Sequence, residues 1–178
     1  MKIIETKVYE FDELPEDIQQ KVLKKEYACN VDHSSWCDGT LEDWTDKLQE
    51  LGFEDVKILY SGFHSQGDGA CFTCERIDFN KYKDGVYRDL DISCKITHSH
   101  NYYFASSTRV GVESGDEISL EKHLEIEADI EQMRYDLGNQ NYKDLRENYD
   151  YLTSKEAIIE TIKANEWTFT LEGRMMNG

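Results

Sequence analysis

The sequence is poor in basic residues, in proline and in long apolar runs, and each scarcity excludes a class of protein. Lysine and arginine number 20 against 37 aspartates and glutamates, so the formal net charge is −17. Because a phosphate backbone is bound by Lys and Arg patches, direct binding to nucleic acid is disfavoured. The chain has no run of roughly 18 apolar residues, so no membrane span is expected. The single proline leaves the predicted strands uninterrupted.

Cysteine is present in an odd number, five, and the first residues lack the apolar core of a signal peptide. Both observations predict reduced thiols and a cytoplasmic location. Hydrophobic residues make up 39% of the chain and aromatic residues 12%, which is too apolar for a disordered acidic tail. The length of 178 residues predicts a single folded domain over residues 1–178.

The spacing of apolar residues changes twice along the chain. Helical spacing dominates up to Gly52 and again from Ser119, and strand-like alternation dominates between them. The predicted elements are a strand at 2–10, helices at 15–30 and 40–52, strands at 56–60, 71–79, 90–98 and 102–112, helical segments from 119 to 165, and a strand at 167–171. This order predicts an α+β fold, with a mainly antiparallel sheet and helices packed on one face.

Two details of the C-terminal helices are also predicted. The step from Leu137 to Tyr142 is five residues and contains Gly138, so we expect a break or bend there. Thr153 and Glu156 form a capping-box pattern before the next apolar stripe, so a helix is expected to begin at this point.

The negative charge is concentrated in the helical stretches. Residues 1–60 carry 15 acidic and 7 basic residues, and residues 113–160 carry 14 and 5. Residues 61–112 are balanced, with six of each. Because a helix carries charge opposite its apolar stripe, one or two strongly negative helical surfaces are expected. Such a surface serves solubility, or it attracts a basic partner with carboxylates in the place of phosphates.

A glycine-rich segment lies between two strand patterns. It reads Tyr60-Ser61-Gly62-Phe63-His64-Ser65-Gln66-Gly67-Asp68-Gly69-Ala70-Cys71-Phe72. Glycine and aspartate are ordinary turn residues, so a hairpin is the structural interpretation. The alternative is a small-ligand or nucleotide site within residues 61–71. The candidate ligand residues of that site are His64, Gln66, Gly67, Asp68 and Gly69. The glycine spacing excludes a phosphate loop, since no lysine follows and Asp68 would repel phosphate.

This segment resembles a family of small acidic proteins of bacteriophages and prophages that share a Tyr-Ser-Gly-Phe-x-Ser-Gln-Gly-Asp-Gly-Ala core. The resemblance continues through residues 151–173, and His64 stands where the family has tryptophan. Members are labelled antitoxin-like. The resemblance implies a phage origin and a host cytoplasm, and it transfers no catalytic residue.

The cysteine and histidine residues are the candidates for a metal site or for a catalytic nucleophile. Cys71, Cys74, His98 and His100 are suitable zinc ligands by type. Residues three apart on a strand point to opposite faces, however, so the two cysteines converge only in a turn. The pair Cys71 and His64 is the one nucleophile candidate, and the acidic chain disfavours a reactive thiolate. No metal, no cofactor and no enzymatic activity are therefore expected.

The leading hypothesis is a phage protein that binds and inhibits a host protein. The expected target is a nucleic-acid-handling defence complex, of CRISPR or restriction type, whose basic groove is occupied by mimicry of nucleic acid. The expected contacts are Glu125, Glu127, Asp129 and Glu131. The alternatives are a small-ligand-binding or sequestering protein and the antitoxin of a toxin–antitoxin pair.

Overall fold

The computed structural model describes residues 6–115 and 117–177. The helices are α1 (Glu16–Lys25), α2 (Asp38–Glu50), α3 (Leu120–Leu152) and α4 (Lys155–Ala164). The strands are β1 (Tyr9–Glu10), β2 (Phe53–Glu54), β3 (Lys57–Tyr60), β4 (Ala70–Thr73), β5 (Arg76–Ile77), β6 (Ile92–His98), β7 (Thr108–Ser114), β8 (Thr168–Phe169) and β9 (Met175–Asn177). The predicted α+β class is confirmed. Of the strand predicted at 2–10, residues 2–5 lie outside the described residues.

All strand pairs of the described residues are antiparallel, as predicted. β6 pairs with β7 over seven residues, from Ile92 opposite Ser114 to His98 opposite Thr108. β2 pairs with β5, β3 pairs with β4, and an isolated bridge joins Cys74 to Ile96. β1, β8 and β9 form a three-stranded sheet in the order β1-β8-β9.

The chain divides into two compact units. The central unit comprises residues 38–146, and the terminal unit comprises the described residues within 1–37 and 147–178. The single domain expected over residues 1–178 stays a prediction. None of the helices in the described part of the chain has both the length and the hydropathy that a membrane crossing requires.

The core of the central unit joins its helices to its strands. Its buried members include Trp44 and Leu48 of α2, Cys94 and Ile96 of β6, and Ile126 of α3. Along β6 the residues between these buried positions are exposed, so the helices cover one face of that strand, as the alternating sequence predicts. The terminal unit has its own core, in which Phe11, Val22, Ile158, Ile162 and Phe169 pack together.

Of the break or bend predicted at Gly138, the break is wrong, because α3 is continuous over 33 residues, and the bend stays a prediction. Its buried positions are Ile126, Ile130, Arg134, Gly138, Asn141 and Leu145. They are spaced by four, four, four, three and four residues, which is one unbroken helical face. The spacing of apolar residues does not reveal this buried face, because three of its six residues are an arginine, a glycine and an asparagine.

Two of these three residues have evident structural partners. Arg134 Nη1 donates hydrogen bonds to the Ala105 carbonyl and to Thr108 Oγ1, and burial lowers the pKa of the guanidinium. Gly138 lies against Ala105, where an added Cβ would stand 3.0 Å from the Ala105 Cβ. A side chain at this position would therefore separate the helix from the segment before β7.

The other element boundaries differ from prediction by a few residues. α1 ends at Lys25 rather than near Asn30, and α2 begins at Asp38 rather than at Thr40. The strand predicted at 102–112 begins only at Thr108, because residues 105–107 form a 3₁₀ turn. The predicted capping box of Thr153 and Glu156 is replaced by a single side-chain cap one residue later. Ser154 caps α4 by accepting a hydrogen bond from Ala157 N at 3.2 Å, and Thr153 donates to Tyr149 O instead.

Candidate interaction surfaces

The second helix carries a segregated acidic face. Its 13 residues contain five acids and one base, and all five carboxylates belong to exposed residues. The acids are Asp38, Glu42, Asp43, Asp46 and Glu50. At about 100° of rotation per residue they fall within an arc of about 140°. Four of them recur every fourth residue, which forms a line of carboxylates about 18 Å long. We call these five residues the α2 acidic face.

The opposite side of α2 is held firmly in the central unit. Trp44 is 4% exposed, and its indole N–H donates a hydrogen bond to Asp144 Oδ2 at 3.0 Å. The one base of the helix, Lys47, places its ammonium 3.9 Å from the centre of the Trp44 ring. None of the five carboxylates of the α2 acidic face forms an ion pair with another described residue. The face is therefore rigidly displayed and its charge is uncompensated.

The four residues predicted as partner contacts do not form one surface. Around α3, Glu125 and Asp129 lie about 40° apart, and so do Glu127 and Glu131, but the two pairs are separated by about 160°. Glu125 is also paired with Lys122, at 2.8 Å between Nζ and Oε1. These four charges are therefore spread around α3 and are not concentrated on one face of it.

Asp129 in particular serves the fold. Its Oδ2 accepts hydrogen bonds from Tyr82 at 3.3 Å and from Tyr87 at 3.1 Å, and its Oδ1 pairs with Lys83. Burial, together with this carboxylate, raises the pKa of both phenols, that of Tyr87 to about 12. Lys83 and Asp84 adopt left-handed backbone conformations with φ of 45° and 57°, in the turn that delivers the lysine. Charge reversal at Asp129 would therefore disturb packing as well as charge.

The glycine-rich segment forms a closed loop between β3 and β4. Asp68 Oδ2 accepts from the backbone N–H of His64 at 2.8 Å and of Ser65 at 2.6 Å. Gly69 lies so close to the following aromatic segment that an added Cβ would stand 2.9 Å from the Tyr103 carbonyl oxygen. A Cβ added at Gly67 would likewise stand 3.0 Å from the ring of Tyr102. These contacts give Asp68 and the two glycines structural roles in the turn.

A small cavity lies beside this loop. It has a volume of about 250 Å³, and Asp68, Gly69, Ser106, Tyr135, Asn139 and Tyr142 are among its lining residues. The loop contributes only two of the residues predicted as ligand contacts. His64, Gln66 and Gly67 are not in the lining. The helical contributors come from α3 at spacings of four and three, which places them on one side of the helix.

The cysteine and histidine residues considered as zinc ligands do not form a metal site in the described ranges. No group of three or more His, Cys, Asp or Glu side chains in the described ranges is placed to hold a metal ion. None of the five cysteines, all of which lie in the described ranges, forms a disulfide. Burial raises the pKa of Cys71 and of Cys74 to about 11, so both are thiols at neutral pH. His98 Nε2 donates to the Tyr102 carbonyl at 2.9 Å, and His100 is exposed.

Comparison with known protein families identifies a match over most of the chain. A family model described as a domain of unknown function (DUF8835) matches residues 36–155. No curated protein and no solved structure matches the chain. The matched range contains α2, the glycine-rich loop and all of α3, and it ends at Lys155, where α4 begins.

Proposed function

The chain belongs to the DUF8835 family, whose function is unknown, and from its surfaces we propose that it is a non-enzymatic protein that binds and blocks a basic groove of a host protein. The groove is one that normally holds DNA or RNA. The class of target, a CRISPR or restriction complex met by a phage protein in the cytoplasm, rests on the resemblance of residues 60–72 and 151–173.

The α2 acidic face is the observation that carries this proposal. A line of uncompensated carboxylates creates a negative potential that steers a positively charged groove toward it. The carboxylates then take the positions of phosphates at the Lys and Arg side chains of the groove. The face replaces the α3 residues Glu125, Glu127, Asp129 and Glu131 as the proposed contact, because those four do not share a surface.

The test is charge reversal of the face. A variant carrying Glu42→Lys, Asp46→Lys and Glu50→Lys changes three exposed side chains and leaves the buried side of α2 intact. The wild-type chain should capture a nucleic-acid-binding protein from host lysate at low salt. Duplex DNA and high salt should each release that protein. The α2 variant should capture none of it.

A matched control carries the same change of net charge on another helix. Glu121, Glu125 and Asp136 are exposed on α3, and their replacement by lysine alters the total charge equally. This control should retain most of the binding, since its α2 acidic face is unchanged. Equal loss in both variants would show that only net charge matters, and the proposed surface would then be wrong. Capture of a basic toxin encoded beside the chain would instead support an antitoxin.

The cavity beside the glycine-rich loop supports a second candidate function, the binding of a small molecule. Its volume of about 250 Å³ is below the usual range for drug-sized ligands, so a compact ligand is expected. Native mass spectrometry of the protein purified from host extract should then show a bound mass. Asn139→Ala, within the lining, should lose that mass, and Gln140→Ala, on the neighbouring exposed position, should keep it. Absence of any bound mass in the wild type contradicts this candidate.

A further inference from the structure

The terminal unit contains a cleft of about 640 Å³ that the α2 acidic face does not involve. One wall is the segment from Glu10 to Asp12, and the other is the end of α4 with the chain that leads into β8. Phe11 and Ile162, which are 4% and 1% exposed, belong to the underlying core and also line the cleft. The cleft therefore combines an apolar base with polar walls, and its volume suits a side chain with its adjoining backbone.

The walls carry more negative than positive charge. Asp12 and Lys163 neutralise each other through an ion pair of 2.7 Å. Glu10 and Glu166 also line the cleft, both are exposed, and neither forms an ion pair with another described residue of the terminal unit. The Glu10 side chain also takes part in a capping box with Glu13. The Glu166 carboxylate and the remaining acceptor capacity of Glu10 are therefore available to a cation that enters the cleft.

Two further groups favour a cation in this cleft. α4 ends at Ala164, and the C-terminus of a ten-residue helix presents the negative end of its dipole. Trp167, half-buried, lines the same cleft, and the face of an indole attracts cations more strongly than any other aromatic side chain. Neither group is a carboxylate, so the preference for a cation has three independent sources.

We propose that this cleft binds the guanidinium group of an arginine side chain presented by a peptide or protein. A guanidinium is planar, so it stacks on an indole and still donates paired hydrogen bonds to a carboxylate. An ammonium is a point charge that is more strongly hydrated and gains less from both contacts. This site goes beyond the α2 acidic face and holds whether or not that face binds a nucleic-acid-handling protein.

The test is a titration of the full chain with N-acetyl-arginine-N-methylamide, followed by ¹H–¹⁵N correlation spectra. The expected result is saturable shifts confined to the cleft, including the indole N–H of Trp167, with a dissociation constant on the order of 1 mM for so small a probe. The citrulline analogue has the same shape without the charge. It should bind about tenfold more weakly or not at all, and the lysine analogue should also bind more weakly.

Charge variants locate the site. The double variant Glu10→Gln and Glu166→Gln should weaken arginine binding about tenfold, and Glu172→Gln, an exposed change outside the cleft, should leave it unchanged. Melting temperatures of both variants verify that they fold. Equal binding of citrulline or of lysine, or full affinity in the double variant, overturns the proposal. The lysine variant of the α2 acidic face should bind the probe normally, so failure here and failure of the proposed function are distinguishable.

Discussion

Raising the pH from 8 to 10 should destabilise the central unit through three buried thiols. Cys71, Cys74 and Cys94 are 1%, 1% and 3% exposed. Burial raises their pKa from the ordinary 9.0 to about 11, 11 and 12. In the unfolded chain these thiols ionise near pH 9, and in the folded chain they stay protonated. The free energy of unfolding is therefore constant with respect to these thiols below pH 9, and it falls as the pH rises toward 11.

The size of this effect follows from the same values. Near pH 10 each thiol lowers the free energy of unfolding by about 1.4 kcal/mol. The three together lower it by about 4 kcal/mol, which is a large part of the 5–15 kcal/mol typical of a domain. Tyr82 and Tyr87 extend the loss above pH 10, because burial and the carboxylate of Asp129 raise the pKa of both phenols as well.

The measurement is urea unfolding followed by circular dichroism at pH 7, 8, 9 and 10, with reductant present to prevent disulfide formation. Cys94→Ala supplies the internal control, because it removes one titrating group and should reduce the pH-dependent loss by about a third. A free energy of unfolding that stays constant from pH 8 to pH 10 would refute the burial of these thiols.

The remaining predictions concern packing, and urea titration at pH 7 checks each of them. Asp129→Asn should lower the free energy of unfolding by about 1–3 kcal/mol, since the carboxylate holds two tyrosine hydroxyls and a lysine. Glu125→Gln should change it by less than about 0.5 kcal/mol, and similar values for both would contradict the structural role of Asp129. Gly138→Ala should cost about 1 kcal/mol through crowding against Ala105. In Gly39→Ala nothing lies within 4 Å of the new Cβ, so a loss there would disprove crowding as the cause.

α3 shows where a sequence pattern succeeds and where it fails. The apolar stripes on either side of Gly138 predicted helix correctly, because they report burial at helical spacing. The predicted break failed because Arg134, Gly138 and Asn141 continue the buried face without being apolar. Arg134 depends on acceptors 26 and 29 residues earlier in the chain, and such partners cannot be read from local spacing.

The glycine-rich loop was predictable as a turn, and its cavity was not. Asp68 and the neighbouring glycines are typical of a hairpin loop, and the antiparallel pairing of β3 with β4 confirms the hairpin. The cavity also requires Tyr135 and Asn139, which α3 brings beside the loop. Proximity in sequence therefore predicted ligand residues, such as Gln66, that do not line the cavity.

The charged surfaces were likewise predictable only in part from the sequence. The excess of acid in residues 1–60 was visible from composition, and the spacing of four from Asp38 to Glu50 is readable once a helix is assumed. The acidic residues of α3 predicted a contact there because they are dense in the sequence, but they lie on different sides of the helix. The cleft of the terminal unit joins Glu10 to Glu166, and no local pattern connects residues so far apart.

The repeated carboxylates of α2 repel one another in the free protein, and a cationic partner would relieve this repulsion. Like charges four residues apart cost about 0.2–0.5 kcal/mol per pair, and the helix contains three such pairs in succession. Added salt therefore strengthens this helix in isolation while it weakens attraction to a cationic partner. In the proposed complex, ionic strength would therefore stabilise the free α2 helix and weaken its binding to a cationic partner, and binding would relieve the repulsion among its carboxylates.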